Sequence, residues 1–196
     1  LPGGARGKAF WFSTVSGRFV SSTYYYPVLP RWVEAWNAQR QVESWQGGMW
    51  DLARERGVYR RIAADDRAVE RDLHGLGKTF PHPFPGKGAT NLAAAFAGPP
   101  RAHNSTPRFV ETLLREERLG QQGVPDLLAV SLSATDMIGH IYGPDSLEAE
   151  DNLYCLDRII ARLLGAARQC VGKARLMVVL SSDHGMGPIP EARASE

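Results

Sequence analysis

Apolar and polar positions alternate along residues 8 to 25, with Phe10 and Phe12 before Ser16-Gly17 and Phe19 and Tyr24 after it, the pattern of a β-hairpin. Pro30 then suits the first position of a short helix in which Trp32, Val33 and Trp36 share a face, with Gly47-Gly48 ending it. From Asp51 to Pro100 the periodicity is poor. The Pro/Gly-rich stretch from Gly75 to Gly88 reads as a long structured loop, a feature that compact domains usually keep for binding. Near Arg101 the pattern sharpens, which divides the chain into residues 1–100 and 101–196.

In the second half, Thr106-Pro107 caps and starts a helix through Leu119, with Phe109, Val110, Leu113 and Leu114 inward and Gly120 just beyond its end. Leu127 to Leu132 is a short, nearly continuous apolar run, as a parallel strand covered on both faces requires. Asp145 and Glu148 form a capping-box-like start for a long helix. Its apolar stripe is Leu153, Leu156, Ile160, Leu163, Leu164 and Ala167, and Gly172 closes it. Leu176 to Leu180 is a second apolar run, so residues 126–182 read as a right-handed βαβ unit and the fold class is α/β.

Composition narrows the function classes. Hydrophobic residues at 43% and charged residues at 22% are ordinary for a globular protein, and a net charge of +2 with interspersed signs gives no support for a nucleic-acid partner. No apolar run is long enough to span a bilayer. Cys155 and Cys170 fall on one predicted helix about 22 Å apart, beyond disulfide reach, and read as packing residues. Gly3 to Lys8 fails as a phosphate-binding loop, because Pro2 and Ala9 stand where Gly and Ser or Thr are needed and no strand precedes it. Asn104-Ser105-Thr106 spells a glycosylation acceptor but reads better as a helix cap, and Tyr24 to Tyr26 as the end of a sheet.

The chemistry sits where the two apolar runs end: Asp136-Met137-Ile138-Gly139-His140 follows the first, and Ser182-Asp183-His184-Gly185 the second. Ligands of open α/β sheets bind beyond the carboxyl ends of strands, and carboxylate oxygen with neutral imidazole nitrogen is a donor set that zinc accepts. Gly139 and Gly143-Pro144 argue against a continuous helix around Asp136 and His140, so a loop turn is expected to bring them together. Adjacent Asp183 and His184 need a chain bend to act jointly, which Gly185 and Gly187 allow.

At these residues the chain resembles the alkaline phosphatase superfamily, in its branch of phosphodiesterases, nucleotide pyrophosphatases and single-domain bacterial alkaline phosphatases. The similar text runs from Asp126 through Asp136, then His140, Tyr142-Gly143-Pro144-Asp145-Ser146, Glu148, Glu150-Asp151, Leu156-Asp157 and Leu180 to Met186. Earlier stretches, Gly7 to Phe12, Ser22 to Tyr26, Asp65-Asp66 and Phe80-Pro81-His82, also resemble the bacterial branch. The resemblance implies an alkaline-phosphatase-like α/β sandwich core, here partial in 101–196, with an inserted, partly β, substrate-side subdomain in 1–100.

It further implies two zinc ions about 4 Å apart, Asp136 and His140 holding one, Asp183 and His184 the other, and a small phosphate ester as substrate. Two further ligands, an upstream Asp and a downstream His, and the Thr or Ser nucleophile are expected outside these 196 residues, so no catalytic residue is assigned within them. A periplasmic or extracellular location is the family expectation. His74, His82 and His103 are weaker ligand candidates, and His82 a second-tier candidate for substrate contact. The rival readings are a sulfatase or cofactor-independent mutase of the same superfamily, and a non-catalytic α/β binding module.

Overall fold

The computed structural model describes residues 7–59, 64–100 and 105–193. The alternation near the start resolves into an antiparallel ribbon of β1 (Trp11–Ser13) and β2 (Arg18–Val20), with Trp11 opposite Val20 and Phe12 opposite Phe19. The exposed edge of β2 is completed by a side chain: Asn37 accepts the Phe19 N–H at 2.9 Å and donates to the Phe19 carbonyl at 2.8 Å. Asn37 ends α1 (Arg31–Asn37), which starts after Pro30 as expected but stops well short of Gly47, where residues 43–45 form a separate tight turn. Val33 and Trp36 of α1 are buried against Phe19, whose ring stacks on Phe109 at 3.8 Å. Tyr24 to Tyr26, expected to end a sheet, follow β2 at a turn, and Tyr26 stacks on Phe10 at 5.2 Å.

The expected long loop contains a strand. β3 (Met49–Trp50) pairs antiparallel with β4 (His82–Pro83), and α2 (Leu92–Ala97) follows. The main apolar cluster joins Trp50, Leu73, Leu76, Phe84, Leu92 and Phe96 to Ala134, Ile138 and Tyr142, so it draws on both expected halves. The boundary near Arg101, His103 and Asn104 lie outside the described residues, as does most of Gly3 to Lys8.

Four helices complete the chain: α3 (Ser105–Glu116), α4 (Ala134–Tyr142), α5 (Leu147–Val171) and α6 (Pro190–Arg193). Both α3 and α4 pack on α5. Cys155 and Cys170 both lie on α5 and form no disulfide with each other, as the spacing required. The cap of α5 is Ser146, which accepts the Ala149 N–H at 3.1 Å, so the expected Asp145–Glu148 box is shifted by one residue.

Two expectations fail. Residues 127–132 and 176–180 form no strand and no βαβ unit, since neither run has ladder hydrogen bonds with another described segment. They are mostly exposed, Leu127 at 94% and Met177 at 88%. The inward face of α5 also differs from the expected stripe: Leu147, Glu148, Asp151, Asn152, Cys155 and Ile159 are buried, while Leu153 is exposed. The physical reason is that this face meets indole, phenol and imidazole groups, which reward carboxylates rather than alkyl chains.

Candidate metal centre

Asp136 and His140 are carried by a helix, not by the loop turn that Gly139 and Gly143-Pro144 suggested. Packing overrides the low helix propensity of Gly139. Ile138 and Tyr142 are fully buried on the inner face of α4, Tyr142 donates through its hydroxyl to the Gly77 carbonyl at 3.1 Å, and Asn152 of α5 donates to Thr135 Oγ1 at 3.0 Å. Gly139 lets the Met186 thioether sit directly on α4, since a Cβ there would displace its Sδ and Cε atoms. Gly143, at φ +97°, ends the helix and leaves room for Ile189. The segment bearing Asp183 and His184 is thereby laid against α4.

This brings the four expected ligands together on an exposed surface. Residues one helical turn apart share a face, so His140 Nε2 lies 3.3 Å from Asp136 Oδ1. From the other segment, His184 Nε2 lies 3.6 Å from the same Asp136 oxygen and 3.7 Å from Asp183 Oδ2. The turn is fixed locally: the Asp183 carboxylate accepts the His184 N–H at 3.1 Å, and the Ser182 hydroxyl donates to the His184 carbonyl. His184 Nδ1 donates to the Gly185 carbonyl at 2.9 Å, which in the neutral ring leaves the Nε2 lone pair directed at the carboxylates, the tautomer a metal requires. That backbone bond, then the charges of Asp183 and Asp136, holds the His184 pKa above its ordinary value.

The donor set fits zinc pairwise. Two ligands at 2.0–2.2 Å from a tetrahedral ion stand roughly 3.3–3.6 Å apart, close to the separations found here. Among the described residues no group of three or more His, Cys, Asp or Glu is arranged around one point, and the contacts are serial.

A second polar cluster lies buried behind the first and escaped the sequence reading. His82 is fully buried, its Nε2 is 3.0 Å from Glu148 Oε1, its Nδ1 is 3.1 Å from the Leu76 carbonyl, and its ring stacks on Trp50 at 4.8 Å. His82, a weaker candidate for ligand or substrate contact, instead has both ring nitrogens engaged and ties β4 to α5. His74 is exposed, and its carbonyl accepts from Asn91. Asp151, also fully buried, accepts from Trp50 Nε1 at 2.8 Å and from Tyr59 Oη and the Ala53 N–H at 2.6 Å each. Glu70 accepts the Arg67 N–H at 3.0 Å. Burial pushes the Glu70 carboxyl up to about 7, with the Arg67 N–H opposing and the charge of Glu148 adding. The sequence did hold a signal: Glu148, Asp151, Asn152 and Cys155 recur at helical spacing, one face of α5.

Paired Asp–His donors thus stand together at the ends of two segments, and comparison with known proteins places the chain in a family. The chain belongs to the type I phosphodiesterase / nucleotide pyrophosphatase family, whose pattern matches residues 5–196. Alkaline phosphatase PhoV of Synechococcus elongatus is 36% identical over 192 residues, covering 97% of this chain and 35% of that protein. A protein of Myroides odoratus named calcium-transporting ATPase is 33% identical over 191 residues, covering 96% and 35%. The crystal structure of wild-type alkaline phosphatase PafA matches with a TM-score of 0.77 at 30% identity, over 89% of this chain and 34% of that one. The alkaline-phosphatase-like α/β class expected from the sequence therefore holds. The chain spans about a third of the length of these relatives.

Proposed function

We propose that the whole protein to which these residues belong hydrolyses small phosphoric esters with two zinc ions. One observation carries the reading: Asp136–His140 from α4 and Asp183–His184 from a distant segment meet on one exposed surface, joined at 3.6 Å. The names borne by relatives support the reaction class. Asp136 and His140 would hold one ion, Asp183 and His184 the other, and ions so held would activate a hydroxyl nucleophile and stabilise the leaving oxygen. The nucleophile, a Thr or Ser that is phosphorylated and then freed by water, lies outside this chain.

The residues present have distinct tasks. Asp136 and His140 are preset by helix geometry. Asp183 and His184 depend on the Ser182 and Gly185 contacts that fix their turn. The test measures zinc content and turnover of p-nitrophenyl phosphate and bis-p-nitrophenyl phosphate in the full-length protein. His140→Ala and Asp183→Ala should lose metal and activity together, whereas Cys155→Ala and His74→Ala keep both. Equal behaviour of all four variants removes these residues from the site.

A further inference from the structure

The two halves of the centre belong to segments with very different restraint. Helix α4 is fixed by buried Ile138 and Tyr142 and by the Asn152–Thr135 bond. The hydrogen bonds of residues 182–185 are local, each within two positions. Among the described residues, what joins this turn to α4 is the His184–Asp136 ion pair itself, Met186 lying over Gly139, and Ile189 beside Gly143. The ion pair is exposed on both sides, and such pairs contribute little in water. The placement of His184 therefore falls to apolar contact.

Gly139 stands between Asp136 and His140 in sequence and beside their stripe on the helix. The Met186 thioether occupies the space a Cβ would take there. Only Gly185 separates Met186 from His184, so the reach of the imidazole is set by where the thioether seats.

We infer that Met186, seated on Gly139, is a positioning residue that docks the Asp183–His184 turn onto α4 and so sets the spacing of the two metal half-sites. The inference rests on the two-zinc reading above. It assigns Met186 no contact with substrate or ion. It also accounts for a glycine in the middle of a helix, where alanine is more favourable by about 1 kcal/mol.

The experiment uses the full-length protein. Zinc per chain and stepwise zinc affinity are measured by chelator competition for the wild type, Gly139→Ala, Met186→Ala, Met186→Leu and the Gly139→Ala/Met186→Ala double variant, together with unfolding midpoints of the metal-free forms. The wild type should bind two ions; a wild type that binds none overturns the two-zinc reading and this inference with it. Given two ions, each alanine variant should weaken the looser ion by about 10-fold or more, the usual effect of losing a group that orients a ligand. The tighter ion should change less than about threefold, and Met186→Leu, which keeps apolar bulk, should stay near wild type. The double variant should be no worse than the poorer single one, since a Cβ at 139 has nothing to strike once the thioether is gone. Metal-free Gly139→Ala should unfold no earlier than the wild type. Unchanged affinity in both single variants, additive losses in the double variant, or a fall in metal-free stability that parallels the affinity would each overturn the inference.

Discussion

Replacing Asp151 by Asn tests whether a single buried carboxylate holds residues 50–59 onto α5. One Asp151 oxygen accepts from the Ala53 N–H and Tyr59 Oη at 2.6 Å each, the other from Trp50 Nε1 at 2.8 Å. An amide offers one acceptor oxygen. If it keeps the Ala53 and Tyr59 partners, its NH2 confronts the indole N–H. The change removes a charge-assisted bond of about 1.5–3 kcal/mol and leaves facing buried donors at a cost of about 1–3 kcal/mol. The expected loss is about 4 kcal/mol. Tyr59→Phe removes one donor but leaves the carboxylate the Ala53 N–H, Trp50 Nε1 and Cys155 Sγ, while the Arg54 N–H loses its acceptor, and should cost about 1–1.5 kcal/mol. Urea unfolding followed by tryptophan fluorescence is the suitable assay, because fully buried Trp50 reports this region. A loss for Asp151→Asn no larger than that for Tyr59→Phe would refute the idea that the carboxylate is the hub.

Further outcomes follow from the same contacts. The Glu70 carboxyl rises from the ordinary 4.5 to about 7, so the folded state binds more protons than the unfolded state through that window. Stability should therefore fall as pH rises from about 4.5 and level off above about 7, by at most about 3 kcal/mol, and Glu70→Gln should flatten the profile measured by denaturant midpoint. Gly120→Ala should cost about 2–4 kcal/mol in the same assay, because φ is +69° and a Cβ would strike Val171. Arg162→Ala removes a partly exposed pair with Glu111 and should cost less than about 1 kcal/mol. The 196 residues alone, offering two protein donors per ion, should bind zinc weakly by calorimetry and turn over no aryl phosphate ester; tight binding would remove the need for outside ligands.

The sequence disclosed the Asp–His pairs because their donor types stand at the ends of two apolar runs, a chemical and a positional signal together. It disclosed α3 and α5 through their caps and terminal glycines. It misjudged α4, since the reason for Gly139 is the seat of Met186, a residue 47 positions away that no local pattern reveals. Glu148 was legible only as part of a helix start, and nothing in the apolar pattern marked it or Asp151 as buried. Their burial depends on Trp50, Tyr59 and His82, donors brought from a region without useful periodicity. The runs 127–132 and 176–180 were legible as β-prone stretches, but pairing is a property of two segments, and composition names only one.

Those two runs have a consequence for how the chain behaves in a tube. Each is uncharged, free of proline and rich in leucine and valine, and each presents backbone that belongs to no ladder among the described residues. Such stretches template one another between molecules, stacking edge to edge into insoluble assemblies. Expressed by itself, this stretch of polypeptide should precipitate as its concentration rises, and light scattering should fall when Val130 and Val179 are replaced by lysine.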